Sequence, residues 1–215
     1  MNCCPHCEAA DNLFNESLAA GDLKDYQKNG PAKQTQLMID TLKKLGVSGL
    51  SLLDIGGGVG AIQHELIKAG VSAATDVDAS AAYIEASRRE AARQGHAERI
   101  TYHKGDFVAM AADIAPADIV TLDRVVCCYP DMPALVGLSS AHAQRFYGLV
   151  FPVDRWYARI GGQIINLFQI IRRDNFRFFV HPTEKVDAVI RQNGLQPHLH
   201  KKGLFWQVMI YTRPE

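Results

Sequence analysis

Between two helix-like segments lies Ser51-Leu52-Leu53-Asp54-Ile55-Gly56-Gly57-Gly58-Val59-Gly60. A short apolar run, a glycine cluster and a helical pattern from Ala61 make a strand–turn–helix unit. Glycine lets the backbone approach a ligand that a Cβ would block. The helix that follows offers unbonded N–H groups to polar or anionic atoms. A chain built round such a unit is expected to cradle a nucleotide-like cofactor. Gly56-x-Gly58-x-x-Ala61 also satisfies the dinucleotide fingerprint, so the turn alone leaves the cofactor open.

The flanking pattern predicts the architecture. Leu37, Met38, Thr41, Leu42 and Leu45 recur at helical spacing and Gly46 stops them. Strands are expected over 50–55, 73–77, 100–103, 119–122 (reaching 126 at most) and 146–153, with helices over 61–69, 80–94 and 133–143. This alternation predicts a parallel sheet covered by helices on both faces. Beyond it come a helix over 156–171, weakened by Gly161-Gly162, and a helix over 183–192 with a partial capping box at Thr183. Strands over 195–200 and 205–212 follow, joined like a hairpin through Lys201-Lys202-Gly203, so the last strand should run antiparallel. Residues 1–12 read as a tail, 13–20 as a helix ended by Gly21, and 26–31 as a polar link. The expected organisation is a tail and arm over 1–30, then one domain over 31–215 with a lid-like insertion at about 154–182.

A formal net charge of zero argues against a nucleic-acid partner. No apolar run reaches the length of a membrane span. The N-terminus lacks the basic and apolar regions of a signal peptide, so the expected location is cytoplasmic. The five cysteines fall in two groups, Cys3, Cys4 and Cys7, then Cys127 and Cys128. Cys4-x-x-Cys7 is half of a zinc-type site, open to zinc or another soft metal with ligands from elsewhere, and a thiol-lined mouth would suit a soft substrate.

Three acids narrow the cofactor. Asp54 ends the first strand, two residues before the first glycine. Asp78 ends the second strand, where a carboxylate can accept from both hydroxyls of a ribose. Asp106, in Gly105-Asp106-Phe107, can accept from an adenine amino group while Phe107 packs on the ring. Leu53 to Gly60, Thr75-Asp76-Val77-Asp78-Ala79-Ser80, Gly105-Asp106-Phe107 and Ala117-Asp118-Ile119-Val120-Thr121-Leu122-Asp123 together resemble the successive motifs of class I S-adenosylmethionine-dependent methyltransferases. The resemblance implies an α/β, Rossmann-like, doubly wound seven-stranded sheet, mostly parallel with an antiparallel last strand. It implies S-adenosylmethionine as cofactor, approached by Asp54, Gly56, Gly57, Gly58 and Gly60. Asp78 and Ala79 would lie at the ribose, Asp106 and Phe107 at the adenine, and Asp123 beside the methionine part and the substrate mouth.

Val125-Val126-Cys127-Cys128-Tyr129-Pro130-Asp131, Phe151-Pro152-Val153-Asp154-Arg155-Trp156-Tyr157 and His181-Pro182-Thr183-Glu184 look like stretches of magnesium-protoporphyrin O-methyltransferases. Asp25-Tyr26 is similar to that group's N-terminal arm, where a Tyr lies over the active site. That group carries a His before the Tyr-Pro; here the position is Cys128. The sulfonium already makes the methyl group electrophilic, so transfer mainly requires a positioned nucleophile, with a base where the acceptor is a hydroxyl or a protonated amine. Asp123, Cys128, Tyr129 and Tyr26 are the candidates for this work.

The apolar segment from Trp156 to Phe179 fits a lid over a large hydrophobic small-molecule acceptor. Arg172, Arg173 and Arg177, with Phe176, Phe178 and Phe179, could bind an acidic substrate or a partner. Two other readings stay open at this level: an NAD(P)-dependent oxidoreductase using the same glycine turn, and a non-catalytic cofactor-sensing or metal-binding module.

Overall fold

The computed structural model describes residues 5–214. Three helices come first: α1 (Pro5–Leu13), α2 (Glu16–Asn29) and α3 (Lys33–Leu45). The sheet follows as β1 (Ser51–Ile55), α4 (Ala61–Lys68), β2 (Ala73–Asp78), α5 (Ala81–Arg93), β3 (Ile100–Lys104), α6 (Phe107–Met110), β4 (Ala117–Asp123), α7 (Met132–His142) and β5 (Ala143–Pro152). The chain closes with α8 (Trp156–Ile171), α9 (Thr183–Gln192), β6 (Gln196–Lys202) and β7 (Trp206–Thr212).

The seven strands form one sheet in the order β3-β2-β1-β4-β5-β7-β6. β1 pairs in parallel with β2 and β4, whereas β7 is antiparallel to both its neighbours. The expected seven-stranded sheet with an antiparallel last strand is therefore present. Strand alternation divides the core between two faces. Leu53, Ile55, Val120 and Leu122 pack with Leu135, Val186 and Ile190 from α7 and α9. Leu52, Ile119, Val150 and Ile210 pack with Met38, Leu42, Ile62 and Leu66 from α3 and α4. Each fully buried Leu or Ile stabilises the fold by roughly 1.5–3 kcal/mol over an exposed one. Connections leave β1 toward β2 and β4 toward β5, in opposite directions, and so open a crevice at the C-terminal ends of β1 and β4.

The N-terminal expectations need correction. Residues 5–12, read as tail, are helical within α1, and α2 runs through Gly21 and across the supposed link as far as Asn29. Asn15 starts α2 by accepting from the N–H groups of Ser17 and Leu18. A glycine costs a helix only about 1 kcal/mol. Contacts of Ala19 and Leu23 with Tyr83 and Ala86 on α5 offset that cost. Gly30, at φ +75°, ends the helix instead. β4 also stops at Asp123, short of Val126, because Arg124 turns the chain at φ +62° and a 3₁₀ turn spans Val126–Cys128. Thr183 does not cap α9; Pro182 is the cap residue, and the Thr183 hydroxyl accepts from Gln207 Nε2 at 2.8 Å.

Candidate functional site

A cavity of about 560 Å³ opens where the crevice is expected. Its floor is made by the strand ends: Ile55 to Val59 after β1, Val77 to Ala79 after β2, Gly105 to Phe107 after β3, and Asp123 to Val125 after β4. Its walls come from the arm, through Leu13, Phe14 and Tyr26, from Thr35 of α3, and from Phe176, Phe178 and Trp206. Phe14 meets Phe176 edge-on at 5.8 Å and joins these two parts of the wall.

The glycine turn is tied to Asp78. The N–H of Gly58 donates to Asp78 Oδ2 at 3.0 Å and that of Ser80 donates to Oδ1 at 2.8 Å. Each oxygen keeps a lone pair for a ligand hydroxyl. Burial raises the Asp78 carboxyl above the ordinary carboxylate range. Gly60 has the left-handed φ of +78°, and a Cβ there would collide with Ser87 and His64.

Asp106 caps the short α6 by accepting from Val108 N–H at 3.0 Å, and Phe107 beneath it is buried. Tyr129 donates its hydroxyl to both Asp106 oxygens, at 3.1 and 3.0 Å. Asp123 is held by α3: Thr35 Oγ1 donates to its Oδ2 at 2.6 Å. Asp123 Oδ1 is buried, accepts no hydrogen bond among the described residues, and lies 3.8 Å from Arg124 Nε. Burial raises the Asp123 carboxyl, with Arg124 and Thr35 acting in the opposite direction.

Two cofactor candidates lie behind the floor. Gly60 is absent from the cavity wall, and so is Asp54, which is completely buried under the turn. Thr121 Oγ1 donates to Asp54 at 2.7 Å and Gln63 Nε2 at 3.2 Å. Burial drives its carboxyl up to about 7, with Asp123 and Asp78 adding to the rise. Asp76 is equally buried, and burial with the neighbouring Asp78 and Asp54 raises it well above the usual range. Deeper still, His64 Nδ1 meets His96 Nε2 at 2.8 Å and His64 Nε2 meets the Val59 carbonyl at 3.1 Å. A carbonyl only accepts, so His64 carries its proton on Nε2 and accepts from His96. Burial holds the His64 imidazolium down at about 4. The turn therefore rests on a buried polar layer in which His64 is uncharged near neutral pH.

Of the proposed reaction-centre residues, Asp123, Cys128, Tyr129 and Tyr26 all line the cavity. The Tyr26 hydroxyl, however, donates to Glu65 at 3.2 Å, and burial raises it to about 12, so it contributes a ring and not an ionisable group near neutral pH. Cys127 and Cys128 line the same wall with their sulfurs 3.7 Å apart. Cys7 lines the cavity from α1, while Cys4 lies outside the described residues. Among the described residues no group of three or more His, Cys, Asp or Glu side chains is arranged to hold a metal ion. His181 is occupied with the Tyr129 carbonyl at 3.0 Å.

Thr35, Asp22, Tyr83, Arg124 and Trp206 were not singled out from the sequence. Of these, only Arg124, next to Asp123, adjoined a recognised motif. The lid-like segment contributes to the cavity through Phe176 and Phe178; no α8 side chain reaches it.

Residues 52–142 match the methyltransferase domain family. Relatives include the ribosomal protein L11 methyltransferases of Citrobacter koseri, 30% identical over 148 residues, and Edwardsiella ictaluri, 27% identical over 148 residues. Both matches take in 66% of this chain and 48% of the relative, so the chain spans about half the length of the curated relatives it matches. Among solved structures, magnesium protoporphyrin IX methyltransferase from Synechocystis PCC 6803 with bound S-adenosylhomocysteine superposes with a TM-score of 0.72. The match covers 95% of this chain and 98% of that one at 17% identity. Geranyl diphosphate C-methyltransferase from Streptomyces coelicolor gives 0.66 at 14% identity, covering 93% of this chain and 84% of that one. With the glycine turn, the acids at three successive strand ends and the reversed β7 all in place, the chain has the fold of these methyltransferases and matches the methyltransferase domain family over residues 52–142.

Proposed function

We propose that the protein binds S-adenosylmethionine in this cavity and transfers its methyl group to a small, largely apolar acceptor. The observation that carries the reading is the charge of the lining. Asp22, Asp25, Asp78, Asp106 and Asp123 face the cavity against one cation, Arg124. Such a wall favours a ligand with sulfonium and ammonium charge. It disfavours the pyrophosphate of a dinucleotide, which needs donors and positive charge. Asp123 Oδ1, a buried acceptor without a hydrogen bond, fits a cationic group. The bound cofactor supplies an electrophilic methyl group.

The chain's own residues then have separable tasks. Asp78 orients the ribose through its two remaining lone pairs. Asp106 accepts from the adenine amino group, with Tyr129 bracing its carboxylate. The buried layer of Asp54, Gln63 and Thr121 keeps the turn at the right height. Asp123, raised by burial and oriented by Thr35, is the group able to hold a proton where the acceptor is a hydroxyl or an ammonium. Cys128 and Tyr129 line the acceptor side with Phe14, Phe176, Phe178 and Trp206. Residues 5–30 of the arm and the segment over 154–182 enclose that side as flaps on the domain over 31–215, and exclude water from the transfer.

The test pairs binding with transfer. Calorimetry should detect S-adenosylhomocysteine binding and none of NAD. Incubation with methyl-labelled cofactor should label an organic-soluble species from a metabolite extract and leave purified ribosomal protein L11 unlabelled. Preferential NAD binding would overturn the cofactor reading; labelling of the protein alone would overturn the small-molecule reading.

A further inference from the structure

α8 is inside out. On a helix packed against a domain, the apolar stripe faces the core. Here Ala158, Gly162 and Gln169 are buried, and Asn166 donates to and accepts from the backbone of Phe178, so the inward side is small and polar. Trp156, Ile160, Ile164, Leu167 and Ile171 share the opposite side, at i, i+4, i+8, i+11 and i+15. All five are exposed, Trp156 by 73% and Ile171 by 69%. Leu204, 84% exposed on the β6–β7 hairpin, extends the patch, because Tyr157 of α8 donates to its carbonyl at 2.6 Å. No helix among the described residues is long and apolar enough to cross a membrane. The sixteen residues of α8 span about 24 Å, short of a hydrocarbon core.

The surrounding charge selects what covers this face. Residues 154–174 carry Arg155, Arg159, Arg172 and Arg173 against Asp154 and Asp174. All four arginines are exposed, and the hairpin tip adds exposed Lys201 and Lys202. A second copy docked helix to helix would set arginines against arginines, since both ends of α8 are basic in either orientation. A negatively charged surface with an apolar interior meets both features at once.

We propose that α8 and the hairpin tip dock the protein on an anionic lipid leaflet. The helix lies flat, with Trp156, Ile160, Ile164, Leu167, Ile171 and Leu204 at the acyl boundary and the arginines among the headgroups. The inner side of α8 is continuous with the cavity wall, since Gly162 packs on Phe178. Docking therefore places the mouth near the bilayer, where an apolar acceptor partitions. The surface stands independently of the reaction assigned to the cavity.

The test uses the full chain with vesicles of phosphatidylcholine, alone or with one part in three of phosphatidylglycerol. The protein should sediment with the mixed vesicles at least about tenfold more tightly than with the neutral ones, with a blue shift in tryptophan emission that Trp156→Phe removes. Ile164→Ser with Leu167→Ser and Ile171→Ser should weaken binding at least about thirtyfold. Arg172→Gln with Arg173→Gln should erode the anionic preference by about fivefold per charge, leaving cofactor affinity intact. Absence of vesicle binding, equal binding to both vesicle types, or a dimer that the triple serine variant dissociates would overturn the proposal.

Discussion

Replacing Asp54 with Asn isolates the electrostatic cost of the layer under the glycine turn. In the unfolded chain this carboxyl titrates near 3.8; in the fold burial moves it to about 7. The sign follows from proton counting. Between these values the native state holds a proton that the unfolded state has lost, so Asp54's contribution falls as pH rises through that window. Below it both states are protonated and nothing is lost; above it the full penalty applies. A displacement of this size corresponds to a ceiling of about 4 kcal/mol, and relaxation around the buried charge brings the expected observable to about 2 kcal/mol. The amide keeps the network closed, because its oxygen can accept from Gln63 while its nitrogen donates to the Thr121 hydroxyl. Urea denaturation at intervals between pH 3 and 8 measures both proteins. The cofactor-free Asp54→Asn variant should match the parent at the acid end and exceed it by about 2 kcal/mol at the alkaline end. Because Asp76, Asp78 and Asp123 also titrate upward, the informative quantity is the difference between the two curves. A difference that does not change with pH would refute the placement of an ionisable, solvent-free carboxyl at this point.

Other positions give independent checks. Asp78→Ala would remove the two charge-assisted contacts proposed to the ribose, worth about 1.5 kcal/mol each, and should weaken S-adenosylhomocysteine binding about 100-fold in calorimetry; unchanged affinity would remove the ribose role. Thr35→Val leaves the buried Asp123 without its hydrogen bond and should cost about 1–3 kcal/mol in urea denaturation, with Thr35→Ser restoring most of it. Gly60→Ala forces a left-handed backbone and drives a Cβ into Ser87 and His64, for a loss of about 3 kcal/mol; Gly95→Ala, with a similar φ but open space, should lose about 1 kcal/mol. Equal losses at the two glycines would mean that the crowding beneath the turn is not what Gly60 relieves.

The central sheet was legible because its signal is local. β1 and β4 are short apolar runs, and each is followed by a turn whose residue types have a stated purpose. The arm was not legible for the opposite reason. α1 and α2 are rich in Ala and acidic residues, with little apolar periodicity to reveal them. Contacts remote in sequence hold them: Asp11 accepts from Ala81 N–H and pairs with Lys104, and Asp22 accepts from Tyr83. Asp54 shows a third limit. Proximity in sequence to the first glycine suggested a ligand contact, but a side chain at the end of a parallel strand can point into the layer below. The strand partners Thr121 and Asp76 on either side of it decide that orientation, and they lie 67 and 22 residues away.

The acidity of the cavity has a consequence for turnover. In the proposed reaction, methyl transfer converts a sulfonium to an uncharged thioether, so the nucleoside leaving the site would carry one positive charge less than the one that entered. The surplus of carboxylates over Arg124 attracts the first form more than the second. On that basis the by-product departs from a wall that has lost its main reason to hold it. Catalysis should then be weakly restrained by its own accumulated by-product, more so at low ionic strength than at high.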